Sequence, residues 1–262
     1  MINIDNILTI DAGNSRVKWG VFDATGTMQE SGACLHAELS TTNLPRTHKV
    51  IISNVAGIEM HEKLKHILSG NATIQWIRAQ STACNVINRY ATPENLGSDR
   101  WAALIAAWHI KQTPCVVVNA GTAVTIDALS SQQVNNQPCG EFIGGLILPG
   151  LNLMQQSLGI ATAQLPKIDA SVFAAPEIPR EIFAKNTAEA IFTGTLHAIS
   201  GAIEHMAHEL NLQSKQVPRI VISGGDAKVI KDAIAAAVTN PIAIVDNLVL
   251  QGLYLLEKST PI

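Results

Sequence analysis

The feature that most constrains this chain is an apolar strand that runs into a glycine turn and straight back into a second strand, and it occurs twice. Ile7-Leu8-Thr9-Ile10 leads into Asp11-Ala12-Gly13-Asn14-Ser15, after which Val17, Trp19 and Val21 alternate with Lys18 and Gly20. Beyond the chain break at Pro114, Cys115-Val116-Val117-Val118 leads into Asn119-Ala120-Gly121-Thr122 and returns through Ala123–Asp127. Asp-Ala-Gly-Asn and Asn-Ala-Gly-Thr close the two turns, each opening about half of the sequence. This pattern predicts a duplicated architecture, with lobes over residues 1–113 and 114–262 and a cleft between them. A third apolar strand, Arg219–Ser223, ends in Gly224-Gly225-Asp226.

Helical patterns lie between these strands. One is predicted at about 58–68. A second, Arg100 to Lys111, carries Trp101, Leu104, Ile105 and Trp108 on one stripe. A third starts near Asn186, where Glu189 three residues on gives a capping-box spacing. Alternating strands and helices make the class α/β.

Composition narrows the function. Of 262 residues 47% are hydrophobic and only 15% charged, which suits a packed globular core and excludes wholesale disorder. The net charge of −3, without a run of Lys or Arg, argues against nucleic-acid or membrane-surface partners. The four cysteines form no CxxC, there is no signal-peptide pattern and no apolar run reaches a spanning length, so a reducing cytoplasmic setting is expected. There is no P-loop and no GxGxxG after a strand. His61 and His66 lie five apart and do not share a helical face; His205 and His208 are three apart without a third ligand nearby.

What remains is phosphate chemistry. Glycine turns after strands let backbone N–H groups approach a polyanion, and Lys18 adds a point charge. Asp11 closes a buried-looking strand, where a carboxylate either caps its own loop or shares Mg²⁺ with nucleotide phosphates. Asp127 is a poorer candidate, equally able to face solvent past the second hairpin. Leu96-Gly97-Ser98-Asp99-Arg100 precedes a helix, so Ser98 or Asp99 reads either as its N-cap or, for Asp99, as a base toward an alcohol. A helix N-terminus would lower that base's pKa. Arg100 is suited to clamp a carboxylate.

Taken together, DAGNSRVKWGVFD (11–23), YATPENLGSDRWAAL (90–104), NAGTAVTID (119–127), GEFIGGLILPGLNLMQQSLGIATAQLP (140–166), NTAEAIFTG (186–194) and ISGGDA (222–227) resemble the type III pantothenate kinases, or Bvg accessory factor-like proteins. The order matches and the stretches cover nearly the whole chain. The resemblance implies a duplicated actin-like (ribonuclease H-like) fold, two lobes around a nucleotide cleft, and ATP-dependent phosphorylation of pantothenate. It implies ATP binding along Asp11, Ala12, Gly13, Asn14, Ser15, Arg16, Val17 and Lys18 and at Thr122, with Mg²⁺ at Asp11. Pantothenate contacts are implied at Tyr90, Gly97, Ser98, Asp99, Arg100 and Thr187, with Asp99 as proton acceptor. A homodimer and a monovalent cation, potassium or ammonium, are implied as well. Family members commonly carry Asp where this chain has Asn119, so the cation position there lacks its charge and dependence on the cation is expected to weaken. The rival functions are a phosphohydrolase on the same fold and a non-catalytic regulatory protein. Whether the loop over 166–185 acts as a lid is left open by the sequence.

Overall fold

The computed structural model describes residues 6–40, 44–69, 73–161, 182–235 and 237–259. The chain packs as two compact units, one of residues 1–112, 132–142 and 247–262, the other of residues 113–131 and 143–246.

In the first unit, β1 (Ile7–Ala12), β2 (Arg16–Phe22) and β3 (Met28–Leu35) form an antiparallel meander, while β4 (Lys49–Asn54) and β5 (Thr73–Trp76) add in parallel on the other side of β1. The order is β3-β2-β1-β4-β5. Parallel strands need a crossover, and α1 (Ile58–Ile67) supplies it between β4 and β5. Strand alternation splits the core. Leu8, Ile10, Val17, Val50 and Ile52 pack with Met60 and Leu64 of α1. The opposite face, with Thr9, Asp11, Gly20 and Ile51, meets α6 (Leu248–Ser259), whose Leu250 reaches Gly20. On the same side of the unit α6 packs against α2 (Ser98–Lys111), where Trp101 and Trp108 are fully buried. Tyr254 of α6 stacks on Phe22 with centroids 4.9 Å apart, and buried Glu257 pairs with Lys49. A short hairpin of β6 (Thr82–Ala83) and β7 (Val86–Asn88) precedes α2.

In the second unit, β8 (Cys115–Ala120) pairs antiparallel with β9 (Ala123–Val134), beside which lies β10 (Gln137–Pro149). On the other side of β8 come β11 (Arg219–Ser223) and β12 (Ile242–Ile244), both parallel, with α5 (Ala227–Ile234) as their crossover. The order β10-β9-β8-β11-β12 repeats that of the first sheet, so the sequence repeat is one of topology. α3 (Leu151–Ala161) and α4 (Thr187–Ser214) connect β10 to β11, and Phe192, Leu196, Ile199 and Ile203 of α4 fill the core over Val116, Val118 and Ile220.

The structure adds to the sequence reading and corrects it at Asp127. The glycine-rich run 140–150 is mostly strand β10, whose start pairs in parallel with β7. The chain first passes from one unit to the other between Gln112 and Thr113. The β9–β10 hairpin then runs back into the first unit, and α6 returns to it to cover β1, β2 and β4. Asp127 does not face solvent. β9 continues past it to Val134, which leaves it fully buried opposite Val117.

Candidate active site

Strand register builds the first half of the site. Asp11 sits opposite Lys18 on β2 and opposite Ser53 on β4, so all three side chains share one face at the C-terminal end of β1. α2 begins at this end of the sheet, and the Ser98 hydroxyl at its first position makes a 2.8 Å buried hydrogen bond with the Ser53 hydroxyl. Asp99 follows one residue later. Its charge, with burial as the larger cause, pushes Asp11 up to about 7, against the lowering pull of Lys18. Asp11 Oδ1 is buried and has no hydrogen-bond partner among the described residues. Such an oxygen is costly unless a cation or ligand meets it.

The N-cap of α2 is Gly97, not Ser98 or Asp99, and no side chain caps it. Asp99 instead accepts the Arg100 N–H at Oδ1, 2.8 Å away. Burial raises the Asp99 pKa and outweighs the lowering by the Arg100 N–H, by the Arg100 charge and by its own N–H. The lowering expected from the helix N-terminus is therefore outweighed by burial, which leaves Asp99 a stronger proton acceptor than an exposed aspartate. Gly97 makes room for this carboxylate, since a Cβ there would lie 2.5 Å from Asp99 Oδ1.

Arg100 is 5% exposed. Its guanidinium donates to the Tyr90 hydroxyl at 3.0 Å and lies 5.7 Å from the ring centroids of both Tyr90 and Phe142. Asn88 fixes the Tyr90 backbone, accepting its N–H at 3.0 Å. Phe142, Asn88 and Ser53 were not among the site residues expected from the sequence. Only Ser53, a polar residue ending an apolar strand, carried a signal that could have been used.

The turn after β1 is closed by the Gly13 N–H, which donates to Arg16 C=O at 3.1 Å, and Asn14, Ser15 and Arg16 are exposed at its tip. Ala12 and Val17 flank it as buried core residues. The fold itself does not require glycine at 13, because a Cβ there would meet only the Arg16 carbonyl at 3.5 Å.

In the second unit the corresponding turn is crowded by backbone. A Cβ on Gly150 would lie 2.1 Å from Gly121 O. One on Gly224, whose φ is +107°, would lie 2.1 Å from Ala120 O. Gly150 N–H donates to Thr122 C=O at 2.9 Å, so the loops at 119–122, 150 and 224–226 meet at one place. Asn119 donates to the Thr125 hydroxyl at 3.5 Å. Thr187 is exposed at the first position of α4, and Asn186 caps that helix by accepting the Glu189 N–H at 2.9 Å. An open, mostly apolar pocket of about 500 Å³ between α3 and α4 includes Thr187, Met154, Leu158 and Ile191.

Among the described residues no group of three or more His, Cys, Asp or Glu side chains could hold a metal. His61 stacks on Trp76 with centroids 3.9 Å apart. All four cysteines are free, and no helix among the described residues is long and apolar enough to cross a membrane. The 166–181 part of the possible lid lies outside the described residues.

A family model described as type III pantothenate kinase matches residues 7–209. A type III pantothenate kinase of Nitrosospira multiformis is 38% identical over 259 residues, covering 97% of this chain and 92% of that protein. Among solved structures, a conserved Baf family protein from Campylobacter jejuni superposes with a TM-score of 0.62 at 20% identity, covering 96% of this chain and 97% of that one. A glucokinase from an Antarctic psychrotroph superposes at 0.50 and 13% identity, covering 98% of this chain and 100% of that one. The fold is the duplicated actin-like one.

Proposed function

Because this chain belongs to the type III pantothenate kinase family, we propose that it transfers the γ-phosphoryl group of ATP to pantothenate, giving 4′-phosphopantothenate in the first step of coenzyme A biosynthesis. The observation that carries this reading is the grouping in the first unit of Asp11, with its unpartnered buried oxygen, Lys18 and the pKa-raised Asp99. Phosphoryl transfer needs positioning and charge compensation more than covalent help, and these groups supply both.

The N–H groups of the Ala12–Val17 turn and the Lys18 ammonium hold ATP phosphates, with Thr122 a further contact. Asp11 Oδ1 fits a Mg²⁺ shared with those phosphates, which would neutralise charge on them. Asp99 orients the pantothenate hydroxyl and accepts its proton. Arg100, braced by Tyr90, binds the pantothenate carboxylate, and Gly97, Ser98 and Thr187 complete the acceptor site. The protein acts as a homodimer with that site near the subunit interface. Asn119 offers a monovalent cation a carbonyl oxygen but no charge, so potassium or ammonium dependence is weak.

The test is product identification by mass spectrometry after incubation with ATP, Mg²⁺ and pantothenate, with and without potassium. Phosphopantothenate is the expected product. ADP release that ignores pantothenate would replace this reading with a phosphohydrolase, and no ADP at all would leave a non-catalytic accessory protein.

A further inference from the structure

His36 follows β3, which pairs with β2 so that Leu35 lies opposite Arg16. This register carries the His36 ring to the turn after β1, where Nε2 is 2.8 Å from Gly13 O. A carbonyl oxygen only accepts, so Nε2 bears the hydrogen and donates it. The His36 backbone is held in turn, because Lys63 of α1 donates through Nζ to the His36 carbonyl.

In a trans peptide the C=O and the following N–H point in opposite directions across one plane. A hydrogen bond that fixes Gly13 C=O therefore also fixes Asn14 N–H, aimed away from His36. Asn14 is at the exposed tip of the turn. We propose that His36 is a positioning residue for nucleotide binding, setting the Gly13–Asn14 peptide so that its N–H faces the phosphates. The proposal rests on the reading of this turn as the phosphate site. Glycine at 13 makes such a device useful. With no Cβ the peptide on either side is free to flip, and the Gly13 carbonyl would then turn a lone pair toward the anion.

The test compares His36→Ala, His36→Gln and His36→Asn with Lys18→Ala, measuring KM for ATP, KM for pantothenate, kcat and thermal midpoint. Gln places an amide N–H at the reach of Nε2, whereas Asn reaches only as far as Nδ1. The expectation is that His36→Ala and His36→Asn raise KM for ATP about five-fold, the scale of one lost hydrogen bond. Pantothenate KM should not move, and His36→Gln should return ATP KM close to the parent value. An unchanged ATP KM in His36→Ala, with a raised one in Lys18→Ala, would overturn the role of His36 while leaving the phosphate turn in place. Unchanged ATP KM in both would remove the turn from nucleotide binding and the proposal with it. Failure of Gln to rescue would show that ring bulk, not the Nε2 hydrogen, is what the site needs, and would equally overturn the proposal.

Discussion

Gly97→Ala is the substitution that most directly probes the geometry of Asp99. The backbone at 97 has φ −54° and ψ 136°, open to any residue, so alanine introduces no main-chain strain. Its Cβ, however, would lie 2.5 Å from Asp99 Oδ1, 3.7 Å from Asp99 Cγ and 3.9 Å from a Val55 methyl. Only the carboxylate oxygen is in the way, and it is the free end of a side chain. Relief to an ordinary contact moves it by roughly 0.5–0.9 Å, a displacement that in a reacting geometry costs about 10- to 100-fold in rate, or about 1.4–2.7 kcal/mol of barrier. The cost to the fold is smaller. A weakened Arg100 N–H bond and the loss of glycine at the N-cap together amount to about 1–2 kcal/mol, lowering the thermal midpoint by roughly 2–8 °C. A coupled assay of ADP release reads kcat with each substrate varied. The expectation is a fall in kcat about 10- to 100-fold at unchanged KM for ATP, and a Gly97→Ala/Asp99→Asn double variant no slower than Asp99→Asn alone. A kcat within two-fold of the parent, or additive losses in the double variant, would refute the argument that Gly97 acts by making room for the Asp99 carboxylate.

Asp99→Asn should lower turnover by about 100-fold or more while calorimetry still registers ATP binding; near-parental turnover would reduce Asp99 to a local brace for the start of α2. Asn119→Asp, by adding a charge beside Thr125, should create a potassium requirement visible against a bulky inert cation, and a steep requirement already present in the parent would contradict the reading of Asn119. Asp23 is held below the ordinary carboxylate range chiefly by the Thr25 hydroxyl, with further donors in the Thr25 and Thr27 N–H groups and Gln29. Its contribution to stability is present above the unfolded carboxylate value and is lost as pH falls through the lower folded one. Melting curves of parent and Asp23→Asn should therefore converge only below about pH 4, and a gap constant down to pH 2 would show that ionisation is not involved.

The elements that were legible in the sequence are those with local signatures. The alternation of Val17, Trp19 and Val21 gave β2, the Trp101–Trp108 stripe gave α2, and Asn186 with Glu189 gave the start of α4. Less legible was anything set by pairing partners. β3 is mostly exposed and reads as polar, and β10 is broken up by glycine, so neither has an apolar period to detect; both exist because an antiparallel neighbour supplies the hydrogen bonds. The place of α6 was hidden for a similar reason, since an apolar helix does not encode which sheet it will cover.

The same distinction runs through the candidate site. Asp11 and Asp99 were each visible as residues at the edge of an element, but that they act on each other follows from a parallel register that puts Ser53 beside Asp11 and from the hydroxyl pair that ties α2 to β4. The second unit repeats this register with different chemistry. Asn119 stands opposite Thr125 and Ser223 as Asp11 stands opposite Lys18 and Ser53. The serine is kept at both strand ends, whereas the acid and the lysine of the first unit are matched by an amide and a hydroxyl. One topology used twice thus yields a charged pair at the first register position, on which the proposed metal-assisted phosphoryl transfer draws, and an amide–hydroxyl pair at the second. The tips of both turns are exposed, Asn14 to Arg16 in the first and Gly121 to Ala123 in the second, while Gly150 and Gly224 pack closely against the backbone of the second. What separates the two turns in the proposed reading is the cation: Lys18 stands beside the first, where Thr125 holds the matching place beside the second.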